Sequence, residues 1–93
     1  MASTSEVLVG LDDIATDIAE QRAILEKAIS NAAGASTALA ALPSTYSDVV
    51  STVNGYTDTG DEFEIVAKRQ LTALTAEFNA LKSDADTIAA VTL

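Results

Sequence analysis

The chain has 93 residues and a net charge of −9, from 14 acidic and five basic residues, and its length is that of one domain, residues 1–93. Such a charge repels phosphate backbones and anionic headgroups, which argues against nucleic acid or a membrane surface as the partner. The sequence has no Cys and no His, which excludes disulfides, thiol chemistry, typical zinc sites and imidazole catalysis.

The apolar residues, 48% of the chain, are dominated by alanine, which suits closely packed helices and does not suit a large enclosed cavity. The first six residues, Met1 to Glu6, lack the basic and apolar regions of a signal peptide. No apolar run approaches the roughly 18–20 residues of a membrane span. We therefore expect a soluble protein that is made in the cytoplasm.

The first predicted helix covers residues 5–42. Ser3 and Glu6 have the spacing of a capping box, and Pro43 is expected to end the helix because the residue before proline disfavours helical geometry. Gly34 could stop the helix earlier, but the apolar register continues through it, and we predict one long helix. Spaced by four and three, the positions of this heptad seam are Val7, Leu11, Ile14, Ile18, Gln21, Leu25, Ala28, Ala32, Ala35, Leu39 and Leu42.

Two further helices are predicted, over residues 44–54 and 60–90. Asn54 and Gly55 should end the second helix, and Thr59 and Glu62 have the spacing of another capping box. The last helix has its own seam at Phe63, Ala67, Leu71, Leu74, Phe78, Leu81, Ala85 and Ile88. The predicted fold is all-α: an antiparallel hairpin of two long helices with a short connecting helix, packed as three helices in the manner of a coiled coil.

No residue pattern points to an active site or to a cofactor. The acidic cluster of Asp58, Asp61, Glu62 and Glu64 could offer oxygen ligands to calcium, but it lacks the EF-hand pattern and is interpreted as helix capping. Asp12, Asp13 and Asp17 lie off the seam and are interpreted as a solvated face without a catalytic partner. We therefore predict no catalytic, cofactor-binding or metal-binding residue, and a protein that is not an enzyme.

Apolar residues that fall outside the two seams indicate a surface for another protein. These predicted interface residues are Leu8, Val9, Ile24, Ile29, Ile65 and Val66. Gln21 is the polar member of the first seam, and it either fixes the register of an assembly or lies at the edge of the bundle and reaches solvent. The short second helix could instead cover part of the leftover surface.

The short, acidic, Ala-rich chain without Cys or His, beginning Met-Ala-Ser-Thr-Ser-Glu, resembles the small accessory proteins of tailed-phage virions. The resemblance implies a decoration, cement or head-completion protein that binds in multiple copies to a shell such as a capsid. It carries no functional residue over to this chain. If it holds, the location is the virion, and the partners are proteins, either further copies of the chain or the shell.

Two other classes of function remain open. Small secreted helical hairpins of the WXG100 type are similar in length, and Val53-Asn54-Gly55 lies where their central turn is expected. The Trp of that turn is missing here, and the tail from Ala89 to Leu93 lacks their Tyr-x-x-x-Asp/Glu signal. The third class is a cytoplasmic adaptor or chaperone whose hairpin binds a client helix.

Overall fold

A computed structural model describes residues 1–57 and 59–93 of the chain. It contains three helices, α1 (Thr4–Thr45), α2 (Ser47–Asn54) and α3 (Glu62–Ala89), and no strand within the described residues. The two long helices, α1 and α3, pack against each other, and the short α2 packs mainly against α3. The predicted all-α hairpin with a short connecting helix is confirmed.

Local chemistry explains the start of α1 and its continuity. Ser3 is the N-cap residue, and its side-chain Oγ accepts a hydrogen bond from the Glu6 backbone N–H at 3.2 Å. The helix then runs without interruption through Gly34, as the register predicted. Because a β-carbon at Gly34 would meet no atom within 4 Å, nothing in the packing requires a glycine here.

The prediction that Pro43 ends the first helix was wrong. The helix includes Pro43 and continues to Thr45, and the break comes at Tyr46, whose backbone (φ −111°, ψ 22°) leaves the helical region. Proline removes one backbone donor, but the hydrogen bonds around it persist: Tyr46 N–H donates to Leu42 and Val50 N–H donates to Tyr46, each at 3.0 Å. Only Ser44 and Thr45 of α1 follow the proline, so its helix-breaking preference affects little of the helix, and α2 begins directly beyond the break.

The turn between α2 and α3 differs in detail from the prediction. Gly55 caps the end of α2, as expected from Asn54-Gly55. The second cap lies two residues later than predicted: Asp61, and not Thr59, is the N-cap of α3, and its carboxylate accepts the Glu64 backbone N–H at 3.0 Å. A carboxylate that carries negative charge suits the positive end of the helix dipole.

The face that joins α1 to α3 is rotated by part of a turn from the predicted seams. On α1 the less exposed residues of this half are Ile29, Ala32, Ser36 and Leu39, so that Ile29 and Ser36 replace the predicted Ala28 and Ala35. Over residues 71–89 of α3 they are Leu71, Phe78, Lys82, Ala85 and Ala89, so that Lys82 and Ala89 replace Leu81 and Ile88. Turning α1 toward Ile29 covers a larger apolar side chain than Ala28, and it brings Ser36 to a polar partner on α3.

The molecule is long and thin, with extents of 79 × 25 × 15 Å and a radius of gyration of 23.8 Å. A compact domain of this length has a radius of gyration of about 12 Å. Ala85 is the only buried side chain among the described residues. Within the same residues, no helix combines the length and the apolar character that crossing a bilayer requires.

Candidate interaction surface

The N-terminal half of α1, residues 4–28, has no helix packed along it. We call this segment the arm. Every residue of the arm is exposed except Gly10, which is half-buried, whereas the half-buried positions that face α3 begin only at Ile29. The hairpin is antiparallel, and the hydrogen bond from the Ser36 hydroxyl to the Asp86 carboxylate fixes its register. The helix α3 ends at Ala89, near the end of the arm at residue 28, and therefore does not extend along the arm.

The arm carries the first five apolar positions of the predicted seam on its open face. Val7, Leu11, Ile14, Ile18 and Leu25 are between 47% and 58% exposed, although their spacing is that of a buried stripe. Over its 25 residues, about 37 Å of helix, this stripe has no part of the described chain packed against it except near one end, where Leu93 reaches it. Most of the stability of helices in proteins comes from the packing of such a face, so the arm has less support than the hairpin.

A shallow groove of about 500 Å³ lies at the end of the arm nearest the hairpin. It is lined by Asp17, Ile18, Gln21, Arg22 and Leu25 on the arm and by Leu93 from the C-terminal tail. The tail reaches the seam here but does not close over it, because Ile18 and Leu25 stay more than half exposed. The apolar stripe therefore remains accessible along its whole length.

The exposed area of the whole chain is large for its mass. The solvent-accessible surface is 7143 Å² for 9.6 kDa. A compact monomer of this mass exposes about 5,100 Å², so this chain exposes roughly 2,000 Å² more. A standard interface covers about 800 Å² on each partner, and the excess is enough for more than one such contact.

The six predicted interface residues divide into two groups. Leu8, Val9, Ile24 and Val66 are 52–63% exposed, whereas Ile29 and Ile65 are half-buried within the chain itself. Leu8 and Ile24 flank the seam of the arm, while Val9 lies on the opposite side of the helix. Leu8 and Ile24 thus lie beside the apolar stripe of the arm. Ile65 and Val66 lie on α3, away from that stripe.

A polar contact holds the hairpin together beside Ala85. The Asp86 carboxylate accepts hydrogen bonds from the Ser36 hydroxyl and from Lys82 Nζ, the latter at 2.7 and 2.9 Å. The ammonium group of Lys82 and the Ser36 hydroxyl lower the pKa of Asp86 below its ordinary value. All three groups take part in the helix–helix contact, which indicates a structural role for this cluster.

The far end of the hairpin is closed by the turn that precedes α3. The rings of Tyr56 and Phe63 meet edge to face with centroids 6.0 Å apart, and Lys68 Nζ donates to the Tyr56 carbonyl oxygen at 2.8 Å. A smaller groove of about 330 Å³ lies beside this pair, between Val49 on α2 and Ala67 on α3. These contacts tie α2 and the turn to the start of α3.

The acidic residues that the sequence raised as possible ligands are not assembled into a metal site within the described residues, where no group of three or more candidate ligands converges. Asp58 lies outside the described residues. Asp61 is occupied as the N-cap of α3, and Asp12, Asp13 and Asp17 are exposed on the arm.

No family model, curated protein or solved structure matches this chain.

The sequence predicts a hairpin of two long helices and did not identify the arm. The predicted helices already held a signal: the first and second, residues 5–42 and 44–54, together far exceed the third, residues 60–90. An antiparallel helix of that length can cover only the part of the chain adjacent to the turn. The excess at the N-terminus had to extend beyond the hairpin.

Proposed function

We propose that this chain is a non-enzymatic structural protein that binds in multiple copies to a larger protein assembly, and that this assembly is a virion in which the chain acts as a capsid decoration or cement protein. One observation carries the proposal: the arm presents a continuous apolar stripe that the chain leaves open. Contiguous exposed apolar surface on a protein marks a site of protein–protein contact. The short, acidic, Ala-rich sequence adds the resemblance to virion accessory proteins.

The shape of the molecule supports this role. A rod 79 Å long with one packed half and one open half can attach at one end and reach a neighbour with the other. The hairpin supplies the packed half, in which the hydrogen bond between Ser36 of α1 and Asp86 of α3 sets the register of the two helices. The carboxylates Asp12, Asp13, Glu20 and Glu26 lie on the side of the arm away from the stripe, where they favour a basic or neutral docking surface.

The adaptor that binds a client helix is the second candidate, since the same stripe would accept an amphipathic helix. The groove beside Leu93 favours it, because an apolar groove lined by two segments is a natural seat for a third. The two candidates differ in stoichiometry: a decoration protein is present in a fixed number of copies on each particle, whereas an adaptor exchanges with its client.

The test is to purify virions from the source phage and to count copies of the chain per particle by quantitative mass spectrometry, for the wild type and for Leu11→Asp. Leu11 lies in the stripe and is more than half exposed, so the charge should remove the chain from particles and leave the fold of the hairpin intact. The matched control is Ala23→Asp, an exposed position on the opposite side of the arm, which should keep the wild-type copy number.

Absence of the wild-type chain from purified particles would overturn the virion proposal. Equal copy numbers for the wild type and Leu11→Asp would overturn the part assigned to the stripe. Circular dichroism on each variant checks that α3 and its half of α1 remain folded.

A further inference from the structure

The partner of the arm can be identified from the positions of its residues in the heptad. We propose that residues 4–28 of identical chains associate as a parallel, in-register coiled coil of more than two strands. This inference names the partner of the surface on which the proposed function rests: a further copy of the chain.

The stripe of the arm has the alternation of a coiled-coil core. With Leu11 at position a, the a positions between Val7 and Leu25 are Leu11, Ile18 and Leu25, and the d positions are Val7, Ile14 and Gln21. All six residues are exposed and lie on one uninterrupted stretch of α1. Three successive a–d pairs give a core long enough for specific pairing, and the chain offers no second helix to provide it.

The charges beside the core select a parallel orientation. Asp17 occupies a g position and Arg22 the e position of the following heptad, five residues later, and both are exposed. In a parallel, in-register coiled coil, g of one chain lies next to this following e of its neighbour, so Asp17 faces Arg22 of the next copy. The only charged g residue of the arm is acidic and the only charged e residue is basic. An antiparallel arrangement, which pairs g with g and e with e, therefore allows no ion pair between these positions.

Gln21 selects the register. It is the only polar residue among the six core positions, and a polar side chain surrounded by apolar layers is satisfied only when it meets another polar group. In the in-register arrangement the Gln21 side chains of all copies lie in one layer and can hydrogen-bond to each other. A shift by one heptad would place each of them against an aliphatic side chain.

The residue types indicate more than two strands. Leucine at a followed by isoleucine at d, the pair formed by Leu11 and Ile14, favours three- or four-stranded assemblies. The flanking e and g positions point the same way: Leu8 and Ile24 are apolar and about 60% exposed. In a two-stranded coiled coil these flanks remain partly in water, whereas additional strands cover them. The roughly 2,000 Å² by which the whole chain exceeds a compact monomer is also more than the about 800 Å² that one standard contact covers on each partner.

Repulsion between the acidic residues of neighbouring copies is weak in this assembly, because most of them lie away from the core. Asp12, Asp13, Glu20 and Glu26 occupy b and c positions, which point away from the core of a coiled coil. Exposed charges separated by more than about 8 Å are largely screened at physiological ionic strength. The C-terminal tail, which ends near Ile18 and Leu25, leaves both residues open to a neighbour.

The first experiment measures mass and orientation on the full-length chain. Sedimentation equilibrium from micromolar to near-millimolar concentration should show a trimer or tetramer. The natural chain contains no cysteine, so Val7→Cys introduces a single thiol at one end of the arm. Parallel copies bring these thiols together, and a glutathione redox buffer should then join them in disulfide-linked pairs: two pairs in each tetramer, or one pair in each trimer with the third thiol left over. Ala23→Cys, on the outer side of the arm, should stay reduced under the same conditions.

The second experiment tests the pair of charges. Asp17→Arg should weaken association about two- to five-fold for each exposed pair that is lost, and Asp17→Arg combined with Arg22→Asp should restore it. Positions 17 and 22 are five residues apart and do not face each other within one helix, so the rescue reports contact between chains. Leu11→Asp should yield a monomer whose hairpin is still folded, and Ala23→Asp should not.

A monomer at every concentration overturns the inference. Failure of Val7→Cys to crosslink, with efficient crosslinking in a mixture of Val7→Cys and Leu25→Cys chains, shows an antiparallel assembly and overturns the orientation. A dimer overturns the number of strands. A chain that is counted on virions but stays monomeric, without the Val7→Cys crosslink on the particle, refutes the coiled coil and leaves the proposed function standing. A chain that forms the predicted oligomer but is absent from virions refutes the proposed function and leaves the coiled coil standing.

Discussion

Ala85 offers the sharpest test of how the hairpin is held together. It is 7% exposed and lies on the face of α3 that meets α1, next to Asp86, which binds Ser36 of α1. Replacing Ala85 with leucine adds three carbon atoms at the most buried position of the described residues. Overpacking of this kind costs about 1–3 kcal/mol, because the neighbouring side chains or the helices themselves must move.

For a domain of this size each kcal/mol changes the melting temperature by about 4–8 °C. We therefore expect Ala85→Leu to melt clearly below the wild type when followed by circular dichroism at a fixed protein concentration. Ala80→Leu is the matched control, because Ala80 is exposed on the same helix and leucine is nearly as good a helix former as alanine. If the two variants melt together, α1 and α3 do not pack closely at Ala85 and the packing argument fails.

Three further predictions concern stability. Gly34→Ala should raise the free energy of unfolding in urea by about 0.5–1 kcal/mol, because the glycine lies inside α1 and a β-carbon there meets nothing within 4 Å; a loss of stability would show a hidden packing constraint. The lowered pKa of Asp86 stabilises the fold above its unfolded-state value near 3.8, and this contribution is lost as the pH falls through the folded-state pKa; Asp86→Asn should therefore flatten the fall in melting temperature below about pH 4, and parallel curves would refute the link. Millimolar calcium or EDTA should leave the melting temperature unchanged, since Asp61 acts as a helix cap, and a shift of several degrees would revive a metal site.

The features that the sequence predicted well are those set by neighbouring residues. The Ser3 cap depends on a hydroxyl three residues before a free backbone N–H, and the end of α2 depends on Asn54-Gly55. The continuity of α1 through Gly34 follows from an apolar register that glycine weakens without breaking. Each of these is decided within one or two helical turns.

The features that the sequence missed depend on distant parts of the chain. The rotation of the α1–α3 contact toward Ile29 and Ser36 required knowledge of Asp86 and Lys82, some 50 residues away. The local preference of Pro43 predicts a helix end, and the helix tolerates the proline because only Ser44 and Thr45 follow it in α1. The choice of Asp61 over Thr59 as the second cap could not be read from spacing alone, because both residues precede a Glu by three positions.

The candidate interaction surface was predicted only in part for the same reason. A heptad pattern shows which residues are expected to pack against another helix, but not whether that helix belongs to the same chain. Leu25 and Leu74 were expected inside the hairpin, yet each is 52% exposed, while Ile29 was assigned to the outer surface and is half-buried. Only the lengths of the helices and their register decide between the two outcomes.

The near absence of an interior has a consequence for the life of the protein in a cell. With Ala85 as the only buried side chain among the described residues, a single copy exposes little new apolar surface when it unfolds, and its arm offers proteases an unsupported helix. Whatever binds the folded arm stabilises it in proportion to the logarithm of the concentration of the partner. We expect surplus copies to be degraded and assembled copies to persist, so that the amount of this protein follows the number of places available to it and not its rate of synthesis.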